Sequence, residues 1–458
     1  MSKTNEHPLN KMETEPIPSL LVSMSWPAIL SMTIAALYNM VDSIYVSRVS
    51  PDALTAVSYV IPMHLLMISV AVGSGVGVNS LIARRLGARR YEEADKAASA
   101  SVVIAAVNWL IFLMIGLFAA KPFVSAYTDD PLIFGYAYDY LSIVTVFSFG
   151  LMTELILEKV LQGTGSMVLP MIISTSGALT NIILDPVFIF GMFGVPRMEV
   201  KGAAIATVIG QFVSLAVAVV VFTVREHDVK ISIKNMKPDF RIIKDIYVVG
   251  LPTIVMQSIA SVMLLVYNWI LSSSEAAVAV LGVYFKVESF VFMPVFGLQQ
   301  GALPLLGYNY GARNRTRFLD TYKVNVLISL VIMAAGTAVF QLAPEAIMEL
   351  FKADEEMMEI GVRALRVISL CFIPAAFGVA TGTVFQATGH GLYCLIESVI
   401  RQFAGVLPIA YVLTDLYGVN ASWYSFPIAE ILGLGYGVIM FLVLYRKEIR
   451  DLETADRG

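Results

Sequence analysis

The sequence predicts an all-α integral membrane protein of twelve transmembrane helices in two related six-helix bundles. Three observations lead to this fold class. The composition is strongly apolar, with 57% hydrophobic residues, 14% charged residues and a mean hydropathy of +0.76. Uncharged segments of membrane-spanning length follow one another along the chain. The two halves of the sequence also repeat the same short motifs at matching positions.

The helix count follows from the segments without Asp, Glu, Lys or Arg. A helix crosses a bilayer core of about 30 Å with roughly 20 apolar residues. Nine uncharged windows reach that length: 16–41, 53–83, 97–120, 160–184, 202–224, 246–274, 289–312, 324–344 and 367–396. Three further apolar regions, near 133–157, 391–414 and 420–445, contain one or two charged residues each. We therefore predict twelve spanning helices.

Two motifs recur in the second half of the chain with the same separation. LGARR at 86–90 corresponds to YGARN at 310–314, and QGTG at 162–165 corresponds to QATG at 386–389. Pro27 and Pro252 match with a separation one residue longer. A repeat of six helices enters the membrane from the same side each time, so the axis relating the halves should lie along the membrane normal. This duplication favours a transporter.

The distribution of basic residues predicts the topology. Most of the 31 Lys and Arg fall on one side if both termini are cytoplasmic, as the positive-inside rule requires. The first apolar segment has no cleavage pattern, so we expect it to be retained. The predicted divisions are a cytoplasmic tail (1–15), a first bundle (16–224), a cytoplasmic linker (225–244), a second bundle (245–446) and a second cytoplasmic tail (447–458).

Several functional classes are excluded by what the sequence contains. The net charge of -4 is spread over loops and tails, which gives no basic domain for nucleic acid. Cys371 and Cys394 both lie in apolar segments and suggest neither a disulfide nor a thiolate metal site. No nucleophile–base or metal-ligand constellation is evident, so we predict that the chain is not an enzyme and needs no cofactor.

Polar residues of the first half occur at similar depths in the membrane. Asp42, Asp185 and Thr207 each lie roughly 9 Å below the outer surface if every residue rises 1.5 Å. Asn181 shares a helix face with Asp185, Asn39 lies one turn from Asp42, and Tyr140 enters slightly deeper. Such oxygen-rich groups suit a proton or a sodium ion, and no other metal is predicted. A structural alternative is that Asp185, before Pro186, caps a helix and that Asp42 pairs with Asn181.

The second half contains a different set of intramembrane charges. Lys286, Arg401 and Glu430 lie about 14 Å from their respective surfaces, and Glu288 lies two residues further in. We predict a largely neutralised polar cluster there. It could be a second ion or substrate site, or salt-bridge contacts that stabilise helix packing. Glu154 and Glu158, by contrast, are predicted to be structural and to reach water near an inner helix end.

Taken together, these residues resemble the multidrug and toxic compound extrusion (MATE) family over essentially the whole chain. The resemblance rests on the order of its motifs and on their duplication. They are WP (26–27), YNMVD (38–42), LGAR (86–89), QGTG (162–165) with Pro170-Met171, NIILDP (181–186), GAAIAT (202–207) with Gln211, and GAR (311–313).

The resemblance implies two six-helix lobes forming a V-shaped cleft, and secondary active export of varied, often cationic drugs by alternating access in exchange for protons or sodium. Asp42, Asn181, Asp185, Thr207 and Tyr140 match the family's first-lobe cation site, and we add Asn39 as a candidate. Pro27 matches a proline at which the first helix is proposed to bend.

One departure from the family concerns the second lobe. Some members carry acids on helices 7 and 10, whereas residues 246–274 and 367–387 contain none here. Gln257 is the main polar group on helix 7 and joins the candidate second-half cluster. The pattern is nearest the prokaryotic branches, so we expect a monomer in a bacterial plasma (inner) membrane, contacting lipid and small drug-like substrates. The alternative function is a lipid-linked oligosaccharide flippase, which should carry a basic cavity.

Overall fold

We describe a computed structural model of the chain, covering residues 10–225, 227–236 and 239–453. The described residues are almost entirely helical. The helices are α1 (Lys11–Thr14), α2 (Ile17–Ser47), α3 (Pro51–Gly87), α4 (Tyr91–Met114), α5 (Ala120–Ser125), α6 (Pro131–Val146), α7 (Phe149–Gly163), α8 (Val168–Phe190), α9 (Glu199–Val224), α10 (Phe240–Ile270), α11 (Glu275–Gly311), α12 (Arg315–Leu342), α13 (Pro344–Leu350), α14 (Glu355–Ile368), α15 (Phe372–Thr388), α16 (Gly391–Ser398), α17 (Leu407–Tyr417), α18 (Val419–Ser422) and α19 (Ser425–Leu444). Short π-helical stretches include Val399–Val406, between α16 and α17.

The number of spanning helices agrees with the predicted twelve. Among the described residues, 11 helices are long and apolar enough to cross a membrane. A twelfth span is formed if α6 and α7 are taken together, since they bend by 48° at the break between them. The predicted all-α membrane fold class is thus confirmed. Parts of both predicted tails, residues 1–9 and 454–458, lie outside the described residues.

The chain divides into two compact units. The first contains residues 30–250, and the second contains residues 10–29 together with 251–453. The boundary therefore falls inside α2, two residues after Pro27. The described residues of the predicted linker, 225–244, lie within the first unit.

Helix boundaries follow from capping residues in the sequence. The side chain of Ser50 accepts a hydrogen bond from the amide of Ala53 and caps α3. Asp130 caps α6 in the same way, and Pro131 occupies the first helical position, where no amide hydrogen is needed. Gly191 ends α8 with a φ of 75°, a left-handed conformation that a residue with a Cβ seldom adopts. These signals define where the spanning helices begin and end.

The two units have different cores. One core cluster of the first unit includes several small side chains, such as Ala53, Ala56 and Ala203, which let helices approach closely. The core of the second unit is rich in aromatic residues, among them Tyr267 and Trp423.

Candidate functional site

A buried polar site lies in the first unit, where α2, α6, α8 and α9 contribute its side chains. Asp185 is 0% exposed, and Asn181 and Thr207 are each 2% exposed. The Nδ2 atom of Asn181 donates to Oγ1 of Thr207 at 3.2 Å and approaches Oδ1 of Asp185 at 3.4 Å. Asn181 thus connects α8 to α9 through its side chain.

Asp42 and two tyrosines complete this site. The carboxyl group of Asp42 lies within hydrogen-bonding reach of the carboxyl group of Asp185. The hydroxyl groups of Tyr38 and Tyr140 are both within hydrogen-bonding reach of the Thr207 side chain. We refer to Tyr38, Asp42, Tyr140, Asn181, Asp185 and Thr207 as the first-unit polar site.

Close packing of two helices positions Asn181 against Thr207. A Cβ added at Gly210 of α9 would lie 2.8 Å from the carbonyl oxygen of Gly177 on α8 and 3.3 Å from the Cβ of Asn181. A side chain at Gly210 would therefore force α8 and α9 apart. The GxxxN spacing from Gly177 to Asn181 places the contact and the site on one face of α8.

Several oxygen atoms of the site have no hydrogen-bond donor. Among the described residues, Oδ1 of Asp42, Oδ2 of Asp185 and Oδ1 of Asn181 are buried and lack a partner. Buried acceptors are normally satisfied because an unmade hydrogen bond costs about 1–3 kcal/mol. These oxygen atoms could accept from a protonated group or contact a sodium ion, so the donor set fits either cation.

The structure brings together most, but not all, of the predicted first-half residues. Asp42, Tyr140, Asn181, Asp185 and Thr207 meet as described above, whereas the Asn39 side chain is exposed. Tyr38 was missed in the sequence, although it adjoins Asn39 in the YNMVD motif.

The structure does not match the alternative in which Asp185 caps a helix and Asp42 pairs with Asn181. Asp185 lies inside α8, which continues to Phe190, so it does not cap the end of a helix. Asn181 bonds to Asp185 and Thr207, while Asp42 contacts Asp185. Pro27 is buried inside α2, which is continuous on both sides of it.

The second unit contains an ion pair with additional acids around it. Nη1 of Arg401 donates to Oε1 of Glu430 at 3.3 Å. A Cβ built at Gly378 would lie 3.1 Å from Oε1 of Glu397, 3.4 Å from Oε1 of Glu430 and 3.9 Å from Nη1 of Arg401. These three side chains therefore converge beside this glycine. Glu288 interacts electrostatically with Arg401. Arg401 itself lies in the π-helical stretch that follows α16.

Two residues predicted for this second-half cluster are placed differently. The ammonium group of Lys286 lies 5.9 Å from the centroid of the Phe351 ring. The Gln257 side chain is exposed on α10. Glu397, which we did not include in the predicted cluster, is 5% exposed and contributes a carboxyl group to it. The depth estimate missed Glu397 because depth along a helix does not report which way a side chain points.

The prediction that Glu154 and Glu158 reach water at a helix end is wrong. Both are 6% exposed, and the neighbouring Lys159 is 7% exposed. These side chains lie inside the first unit because α7 packs against α3, where a Cβ at Gly75 would lie 2.5 Å from Cγ of Lys159. Their position near the end of α7 suggested contact with water, but neighbouring helices cover this end of α7.

A duplicated bundle of spanning helices with a desolvated carboxyl site is the architecture of a multi-pass membrane transporter. The MatE family model matches residues 27–187 and matches again at residues 252–412. The chain therefore belongs to the multidrug and toxic compound extrusion (MATE) family. Members of this family are transporters, which confirms the prediction that the chain is not an enzyme.

Similar proteins support this membership over nearly the full length. The chain is 27% identical over 449 residues to the multidrug export protein MepA of Staphylococcus haemolyticus, covering 97% of each chain. It is 26% identical over 457 residues to the probable multidrug resistance protein NorM of Thermotoga maritima, covering 98% of this chain and 97% of the relative. An outward-facing structure of a multidrug resistance MATE family transporter of the MOP superfamily matches with a TM-score of 0.87 and 27% identity, covering 97% of this chain and 98% of the other.

Proposed function

We propose that this protein is a secondary active multidrug exporter that moves varied, often cationic, compounds out of the cell in exchange for protons or sodium. The observation that carries the proposal is the position of the Asp42 carboxyl group within hydrogen-bonding reach of the buried Asp185 in the first unit. Drug export is proposed from the names of its relatives, a multidrug export protein and a probable multidrug resistance protein. Their bacterial sources favour a bacterial plasma membrane. The distribution of Lys and Arg favours both termini in the cytoplasm.

The geometry of the carboxyl pair favours the proton as the driving cation. Ionised carboxylate oxygens only accept hydrogen bonds, so two carboxyl groups in direct contact need a proton between them. Loss of this proton would leave two adjacent negative charges, Asp42 and Asp185, in a desolvated site. Sodium would have to separate the two carboxyl groups to coordinate both.

The mechanism couples this site to substrate by linkage. Uptake of an external proton at Asp42 and Asp185 changes the charge of the first unit and weakens the binding of a cationic drug, which is then released outside. Because linkage is reciprocal, drug binding on the inside must equally weaken proton binding. Alternating access then returns the site to the cytoplasm, and Pro27 provides a position at which α2 can bend.

The charges of the buried residues favour cationic substrates over anionic ones. Among the described residues, the buried acidic side chains are Glu154, Glu158, Asp185, Glu397 and Glu430, and Lys159 is the single buried basic one. A flippase for lipid-linked oligosaccharides binds a pyrophosphate group and would need the opposite excess. The flippase alternative is therefore less well supported.

Everted membrane vesicles test transport and coupling together. Their outer surface is the cytoplasmic face, so an exporter accumulates a fluorescent cationic dye, such as ethidium, in the lumen. We expect accumulation when the lumen is acidified and none when sodium alone is more concentrated in the lumen than in the medium. Vesicles without the protein provide the control. Dye accumulation that follows neither gradient would reject the proposal, and accumulation that follows sodium alone would replace the proton with sodium.

A further inference from the structure

A second group of buried ionisable side chains lies on α7, apart from the first-unit polar site. Glu154 and Glu158 are one helical turn apart and are each 6% exposed. Lys159 and Gln162 follow on the same helix with 7% and 5% exposure. The coupling mechanism above uses none of these four residues, although burying charged groups carries a substantial cost.

The two glutamates are close enough to share a proton. Their carboxyl groups lie within hydrogen-bonding reach of one another. A hydrogen bond between carboxyl groups requires that one of them be protonated. In addition, Oε1 of Glu158 is buried and has no hydrogen-bond partner in the part of the chain that the structure describes. The pair therefore has room for a donor beyond the contact between its members.

Lys159 supplies one positive charge for the two acids, and its ammonium group donates a hydrogen bond to Gln162. Its Nζ atom donates to Oε1 of Gln162 at 2.8 Å, and it interacts electrostatically with Glu158. Its aliphatic part packs against Gly75 of α3, which restricts its movement. One lysine balances one carboxylate, so the second carboxyl group stays neutral by holding a proton.

Tyr38 is the member of the first-unit polar site that interacts electrostatically with this pair. It interacts electrostatically with Glu154 on one side and with Asp42 and Asp185 on the other. Its hydroxyl group is within hydrogen-bonding reach of Thr207. A phenol can both donate and accept a hydrogen bond, which is the requirement for passing a proton along a chain of groups. Lys159 and Tyr38 are the titratable groups that interact with the glutamate pair among the described residues.

A cavity of 1030 Å³ begins beside α7 and reaches the segment after α9. Thr153 and Leu157, the neighbours of the two glutamates in sequence, contribute to its wall. Its lining also includes Arg225, His227 and Lys230 from the predicted cytoplasmic linker. Water in this cavity would come close to α7 from the cytoplasmic side.

We propose that Glu154 and Glu158 form a second proton-binding site, which holds one shared proton and relays protons from the first-unit polar site toward the cytoplasm. A proton that leaves Asp42 or Asp185 passes by way of Tyr38 to the pair, and the proton that the pair held leaves to water in the cavity. One proton enters and one leaves, so the charge of the pair is the same before and after. The relay role depends on the proposed function, whereas the shared proton does not.

Infrared spectroscopy of the purified protein tests the shared proton directly. A carboxyl group shows a C=O stretching band above the amide bands only when it is protonated. We would therefore compare this band in wild type, E154Q, E158Q and the double variant at neutral pH. Each single variant should lose the same amount of band, equal to one carboxyl group, and the double variant should lose no more. In each single variant the new amide can donate to the remaining carboxylate, which no longer needs a proton.

The outcomes that would overturn the shared proton are equally specific. An unchanged band in the double variant would show that the pair holds no proton. A twofold loss in the double variant would show two independently protonated acids. E356Q, at an exposed glutamate, is the matched control and should change nothing. Because the two single variants test the same pair, misfolding of one leaves the other as the test.

Transport in vesicles tests the relay separately. E158Q should slow proton-driven dye accumulation by roughly tenfold or more, since proton transfer by a positioned group typically contributes at least that much. Dye binding to the purified variant should not change. If D42N abolishes coupling while E158Q matches wild type, the relay is wrong and the proposed function stands. If neither variant affects accumulation, the proposed function fails, and the relay fails with it.

Discussion

The Nδ2 atom of Asn181 on α8 donates to Oγ1 of Thr207 on α9 at 3.2 Å, although the two residues are far apart in sequence. This bond joins the carboxyl side of the first-unit polar site, Asp185, to its hydroxyl side, Tyr38 and Tyr140. Substitutions near this bond can therefore distinguish effects on helix packing from effects on the coupling of transport to the cation.

Replacing Asp42 by asparagine should abolish proton-driven efflux while leaving the protein folded. The asparagine amide can donate to Asp185, so the contact survives without a proton. Dye accumulation in everted vesicles and the thermal unfolding midpoint provide the two measurements. D129N, at an exposed aspartate of the same unit, should transport like wild type. Full active efflux by D42N would reject the assignment.

Replacing Thr207 by valine should lower both stability and transport. The hydroxyl group is the partner of Asn181, and it also lies within reach of the two tyrosines, so its removal leaves buried donors unpaired. We expect a loss of about 1–3 kcal/mol in the free energy of unfolding. T207S retains the hydroxyl group and should recover most of both properties. Equal stability of T207V and wild type would show that these bonds do not stabilise the site.

Replacing Gly210 by alanine should separate α8 from α9. The added Cβ would lie 2.8 Å from the carbonyl oxygen of Gly177, and such overpacking costs about 1–3 kcal/mol. Denaturant or thermal unfolding measures the change. G135A is the control, because a Cβ at this helical glycine meets no atom within 4 Å. It should be neutral or stabilising by up to about 1 kcal/mol, in line with helix propensity.

Replacing Glu430 by glutamine distinguishes the two interpretations of the second-unit cluster. We expect E430Q to lower the free energy of unfolding by about 1–3 kcal/mol, because Arg401 loses its charged partner, and to leave transport per folded molecule unchanged. Thermal unfolding and vesicle efflux are measured on the same preparation. Loss of transport with unchanged stability would instead assign the cluster an ion- or substrate-binding role.

Replacing Pro27 by alanine should stiffen α2. Proline lacks the amide hydrogen that an alanine at this position would donate to the carbonyl of Ser23, one turn earlier. We expect slower dye accumulation together with a higher unfolding midpoint. P62A, at an exposed proline inside α3, is the control for removing a helical proline elsewhere. Wild-type transport rates in P27A would show that bending at this position is not required.

The amino-acid sequence was sufficient to predict the membrane class, the helix count and the duplication. These properties depend on local composition and on repeated motifs, which a chain carries whether or not it is folded. The family model matches both halves, in agreement with the repeat that begins at Pro27 and Pro252. Equal depth also predicted that Asp42, Asp185 and Thr207 would meet, since residues at one level on packed helices can come into contact.

Which side chains at a given depth face one another could be seen only in the folded structure. Asn39 and Gln257 are exposed, whereas Tyr38 and Glu397 join the polar groups from neighbouring positions. The burial of Glu154 and Glu158 likewise depends on how α3 packs over α7. Depth depends on the rise along one helix, but the direction of a side chain depends on helix rotation, and rotation is determined by packing against other helices.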